Sequence, residues 1–90
     1  MKKHLQIRIS GRVQGVYFRK TAQKEAEKWG ITGFIQNMDD GTVYIEAEGK
    51  PMPLDLFVKW CYKGPDNAKV NEVTTNEGEL KNFDVFEVRH

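Results

Sequence analysis

Leu5, Ile7 and Ile9 alternate with Gln6, Arg8 and Ser10, and from Phe18 onward the apolar residues change period. Phe18, Ala22, Ala26 and Trp29 recur at spacings of four, four and three, while Lys20, Gln23, Lys24, Glu27 and Lys28 fall elsewhere around the wheel. The chain therefore opens with a strand that buries one face, passes through a loop over residues 11–18, and enters an amphipathic helix that Gly30 ends. A one-faced strand and a one-striped helix cannot hide their apolar sides alone. They need each other and further strands beside them.

Two more strands follow, Phe34–Asn37 and Thr42–Glu48, joined at Asp39-Asp40-Gly41, whose Asp-Gly pair suits a tight hairpin. Val43, Ile45 and Ala47 should face the core, with Tyr44, Glu46 and Glu48 turned outward. The prolines in Lys50-Pro51-Met52-Pro53 break the chain before a second helix over residues 54–62, with Leu54, Phe57, Val58 and Cys61 as its buried stripe. Gly64-Pro65 ends it, a looser extended stretch covers Val70–Thr75, and a last strand runs from Phe83 to Arg89. The order is β-α-β-β-α-β plus an irregular strand. It predicts the α+β class and a ferredoxin-like βαββαβ sandwich, with a mainly antiparallel sheet of four or five strands and two helices on one face.

Ninety residues make a single domain, 1–90. A domain of this size buries about 60% of its unfolded surface, which the ten aromatic residues help to supply. Cys61 is the only cysteine, so no internal disulfide can form, which suits a reducing compartment. No unbroken apolar stretch follows Lys2 and Lys3, and no apolar run approaches the ~20 residues that span a bilayer. We therefore expect a cytoplasmic protein with no membrane partner, acting as a monomer. Seven of the fourteen basic residues lie in the first 24 positions, and no acid precedes Glu25. Such a segment draws anions, although a merely solvated basic face has the same composition.

The loop Gly11-Arg12-Val13-Gln14-Gly15-Val16-Tyr17-Phe18-Arg19 is the first candidate for chemistry. Gly15 permits a tight turn, and amides at residues 15–19 precede or begin the helix, where N–H groups lack intrahelical acceptors. A phosphate fits such a concavity, and Arg19 adds a planar fork of donors. An ordinary strand–helix turn with a surface arginine fits the spacing equally well. Arg19-Lys20-Thr21 imitates the end of a P-loop, but that motif needs glycines at 14 and 19, which hold Gln14 and Arg19. Asn37, at a strand end before the turn, can orient a water or simply bond its own backbone.

The stretch G-R-V-Q-G-V-Y-F-R, followed by G-F-I-Q-N-M-D-D-G-T-V-Y-I-E-A-E-G, resembles the two signature segments of the acylphosphatase family. The close likeness covers residues 9–49, and Gly64-Pro65, Ala68, Val70, Val73 and residues 86–89 fit more loosely. The resemblance implies hydrolysis of a small acyl phosphate to a carboxylate and inorganic phosphate. It implies that Arg19 binds the phosphate with the backbone amides of Gln14, Gly15, Val16, Tyr17 and Phe18, and that Asn37 holds the attacking water. Ile35, Gln36 and His90 depart from the residues common at those places.

A carboxylate leaves without protonation, so such a reaction needs a held phosphoryl group and a placed water rather than a general acid. No cofactor or metal is expected, since zinc and calcium motifs are absent and Asp39-Asp40 suits a turn. Cys61, Trp29, Trp60 and Phe57 read as core, and His4 and His90 as surface residues near the ends. The same element order serves RNA-recognition domains, which stack bases on central-strand aromatics. Here the third strand offers one outward aromatic and two outward acids, so no nucleic-acid partner is expected. A domain that binds an anion without turning it over is the remaining alternative.

Overall fold

The computed structural model describes all of residues 1–90. The elements are β1 (Lys3–Arg12), α1 (Phe18–Lys28), β2 (Thr32–Asn37), β3 (Val43–Gly49), α2 (Pro51–Lys63), β4 (Lys69–Gly78) and β5 (Phe86–Arg89). The strands form one sheet in the order β4-β1-β3-β2-β5, antiparallel except where β5 runs parallel to β2. This is the ferredoxin-like α+β arrangement expected from the sequence, in its five-strand form. No helix is long and apolar enough to cross a membrane.

Ile7 and Ile9 of β1, Ile35 of β2 and Val43, Ile45 and Ala47 of β3 meet Phe18, Ala22 and Ala26 of α1 and Leu54, Phe57 and Cys61 of α2. The periods read from the sequence therefore place the right residues in the core. Burial also pushes the Cys61 thiol up from its ordinary range, as suits packing rather than reactivity. Helix α1 ends with Ile31 N–H on Ala26 C=O (2.8 Å) and Gly30 N–H on Glu27 C=O (3.2 Å), the Schellman pattern that a C-terminal glycine permits.

Three expectations about the elements change. The prolines do not precede α2 but open it, with Pro51 in the first turn, where a helix has no use for the missing N–H. The stretch after α2 is longer than expected, a ten-residue edge strand paired to β1, and irregular as expected, with a register shift at Ser10/Gly11. Its side chains are mostly exposed, so the apolar period that would reveal a strand is faint. The last strand begins at Phe86 rather than Phe83, because residues 79–85 leave the ladder to cross the helix-free face of the sheet from the β4 edge to the β5 edge.

That crossing strap overturns two further expectations. Glu46 and Glu48 do turn away from the helices, yet they are buried, and so is His4, read from the sequence as a surface residue. The strap covers them. His4 Nδ1 lies 2.8 Å from Glu48 Oε2, and the amides of Lys81 and Phe83 donate to the same carboxylate. Lys81 Nζ and the Tyr44 hydroxyl donate to Glu46 at 2.9 and 2.7 Å. A covering segment brings backbone N–H groups that no ladder satisfies, and buried carboxylates supply the acceptors.

Burial alone would raise both carboxyl groups. The strap's donors and His4 outweigh it, so Glu48 and Glu46 stay below the ordinary value of 4.5. A carboxyl with a depressed folded pKa stabilises above its unfolded pKa and loses that contribution as pH falls through the folded one. Urea midpoints should therefore be flat near neutrality and drop once pH falls below about 4.5, and Glu48→Gln should flatten the drop. Equal acid sensitivity in the parent and Glu48→Gln would refute the account.

Candidate active site

The segment between β1 and α1 alternates buried Val13 and Val16 with exposed Gly15 and Tyr17. Gly15 has φ +74° and Tyr17 has φ 62°, the latter an uncommon left-handed conformation for a residue with a β-carbon. A β-carbon on Gly15 would touch nothing, so glycine is required there by the torsion rather than by crowding. Between these residues Val16 turns inward, and Val13 and Phe18 are also buried. These three apolar anchors fix the loop to the core.

Tyr17 is the N-cap of α1 and makes no side-chain capping bond, and the first turn contains no acid. No main-chain bond outside the strands and helices has an amide of residues 14–20 as donor. The converging N–H groups thus retain their hydrogen-bonding capacity at the positive end of the helix dipole. Amides left free at a helix start are a geometry that can accept an anion.

The Gln14 side chain has a part that the sequence did not reveal. Its Nε2 donates to the carbonyls of Met38 (2.8 Å) and Thr42 (2.9 Å), the residues that close the β2–β3 hairpin. One carboxamide thereby fastens the loop to the turn that immediately follows Asn37. Nothing in residue spacing identifies that tie, which joins positions 24 and 28 residues apart.

Gly15, Tyr17, Arg19, Lys20, Gln23, Asn37, Val88 and His90 line one cleft of about 590 Å³. Arg19 and Asn37 therefore come together from separate segments, while Gln14, Val16 and Phe18 are not among the lining residues. Arg19 Nη1 donates to the Arg89 carbonyl at 2.9 Å and lies 3.2 Å from His90 Nδ1. These contacts leave the other guanidinium N–H groups without partners in the chain. His90 is exposed at the cleft, a location its sequence position did not disclose.

The Asn37 Oδ1 atom is buried and meets no donor in the chain. An unmet buried acceptor costs about 1–3 kcal/mol, and Asn37 carries that cost at the cleft it lines. With Arg19 and Lys20 beside His90 and no carboxylate among the lining residues, the cleft favours an anion. It can grip a tetrahedral oxyanion from one side and hold a polar small molecule from another.

Comparison with known proteins gives the same direction. A 39% identical acylphosphatase of Nocardioides sp. covers 99% of this chain and 90% of its own length. One from Archaeoglobus fulgidus is 41% identical, covering 96% and 97%. The crystal structure of acylphosphatase from Bacillus subtilis superposes with a TM-score of 0.95 at 36% identity over the whole of both chains. The acylphosphatase family model itself matches residues 5–88, which include the loop, Arg19, Asn37 and every strand of the sheet in whole or in part. The fold, the anion-ready cleft and this end-to-end likeness agree, and the chain belongs to the acylphosphatase family.

Proposed function

We propose that the cleft hydrolyses the carboxyl–phosphate bond of a small acyl phosphate, the activity that membership of the family carries. The observation that supports it most is that Arg19 and Asn37, 18 positions apart, line one cleft beside uncapped amides.

In this reading the amides of Gln14, Gly15, Val16, Tyr17 and Phe18 surround the phosphoryl oxygens, and Arg19 neutralises them with its free N–H groups. The Asn37 carboxamide holds the water so that its lone pair aims at phosphorus, opposite the leaving oxygen. The new P–O bond forms as the P–O bond to the acyl group breaks, with its electron pair departing on the carboxylate. Water supplies both protons of the phosphate product, so RCO–OPO₃²⁻ and H₂O give RCOO⁻ and H₂PO₄⁻. The leaving carboxylate needs no acid, and neither the thiol of Cys61 nor a paired base is required.

The noncatalytic alternative predicts phosphate binding without turnover. Benzoyl phosphate should be consumed by the purified protein in the presence of EDTA, with inorganic phosphate as a competitive inhibitor. Binding of phosphate with no turnover would favour the alternative, and turnover only with added divalent cation would remove the metal-free mechanism. We further propose that the protein works as a cytoplasmic monomer without nucleic acid. The strap supports the last point, since Phe34 and Phe83 pack edge to face (5.9 Å between centroids) instead of forming an open stacking platform.

A further inference from the structure

The buried His4–Glu48 pair beneath the strap takes no part in the chemistry above, although it is unusually placed for so small a protein. The side chains of His4 and Glu48 are 0% and 1% exposed. A hydrophobic pair of similar volume is often at least as stabilising, so stability alone is a weak reason for a buried imidazole and carboxylate.

What the pair holds is specific. Glu48 takes the amides of Lys81 and Phe83, and the Phe83 ring stacks on His4 with centroids 5.9 Å apart. His4 Nε2 lies 3.3 Å from Glu46 Oε1 but is not aligned as a hydrogen bond. Lys81 then closes on Glu46 from the strap side. Beyond these residues the Val85 carbonyl accepts from Gly33 N–H at 2.9 Å, and β5 begins.

Strand β5 is a four-residue edge strand paired on one side only, to β2. Its last residue, Arg89, offers the carbonyl that receives Arg19 Nη1. A one-residue slip of β5 would carry that carbonyl about 3.3 Å along the strand, out of hydrogen-bond range. Four residues of ladder resist such a slip weakly, and the pinned strap resists it from outside the ladder.

We infer that the His4–Glu48 pair is a positioning device for Arg19, acting through residues 81–89 rather than by touching substrate. The inference rests on Arg19 being the phosphate-binding residue proposed above. It assigns a functional consequence to a network on the face of the sheet away from the helices. Gly33 fits the same device, because a β-carbon there would collide with the Glu46 carbonyl just where the strap rejoins the sheet.

The test uses Glu48→Gln and, in case that variant does not fold, the double substitution His4→Phe with Glu48→Leu. The double variant replaces the polar pair by an apolar one, yet leaves the two strap amides without their acceptor. Hydrogen exchange reads protection at the amides of Lys81 and Phe83, and inhibition by inorganic phosphate reads the site. Protection should fall, and the phosphate Ki should rise about tenfold, the equivalent of one lost hydrogen bond. In an Arg19→Ala background the same substitutions should change Ki by less than about twofold, since residues acting in one chain of contacts are not additive. A Ki unchanged despite lost protection, protection retained in the variants, or an equal rise without Arg19 would each overturn the inference. Turnover by the parent separately decides the proposed function, and a parent that neither turns over nor binds phosphate would remove both.

Discussion

Arg19→Ala should lower kcat/KM for benzoyl phosphate by about a thousandfold or more, because a guanidinium clamp on a transferring phosphoryl group typically supplies that much. The loss should appear in both kinetic parameters and in a raised phosphate Ki, since the charge meets ground state and transition state alike. Arg19→Lys should recover little. A lysine reaches the region with one ammonium point, whereas Arg19 is held by Nη1 against the Arg89 carbonyl while presenting its remaining N–H groups elsewhere. The fold should persist, because the guanidinium lies at the cleft and its packing is not part of the core. Steady-state kinetics with circular dichroism on the same samples provide the check, and near-parent activity in Arg19→Ala would end its assigned role.

Removing the carboxamide of Asn37 should separate the kinetic parameters differently. Asn37→Ala should reduce kcat about a hundredfold or more while changing the phosphate Ki by no more than about threefold. Water is placed by one residue and phosphate gripped by others, so losing the former leaves binding in place. Stability should hold or rise slightly, since the substitution removes a buried acceptor that meets no donor in the chain. Comparable losses in Ki and kcat would mean that Asn37 contacts the phosphoryl group instead of steering the nucleophile.

Both of these positions stood out before any fold was known, and for different reasons. Arg19 followed a glycine loop at a helix start, where local rules already promise unpaired amides. Asn37 read from its own neighbourhood as either a turn residue or a water-orienting amide, and the likeness to a family favoured the second. Gln14 shows the limit of local reading. Its main-chain position was legible, but its side chain bridges to carbonyls of Met38 and Thr42 that no period or motif connects to it. His90 was likewise opaque until β5 ran parallel to β2 and brought its end to Arg19.

The helix-free face was misread for a physical reason. Alternation in Val43–Glu48 reports which side of the sheet a residue occupies, and it reported that correctly. It does not report whether that side is wet. Residues 79–85 carry no periodic signal, so their passage over His4, Glu46 and Glu48 was invisible, and three polar residues seemed solvent-exposed.

Local order in the chain thus determined the strands, the helices, their apolar faces and the loop that precedes α1, because dihedral preferences and side-chain periods act over a few residues. Tertiary structure alone decided that Arg19 and Asn37 share a cleft, that Gln14 and Arg89 brace it, and that a polar trio lies beneath the strap. Those outcomes depend on contacts between residues 18 to 70 positions apart, whose geometry exists only after the sheet has closed its register.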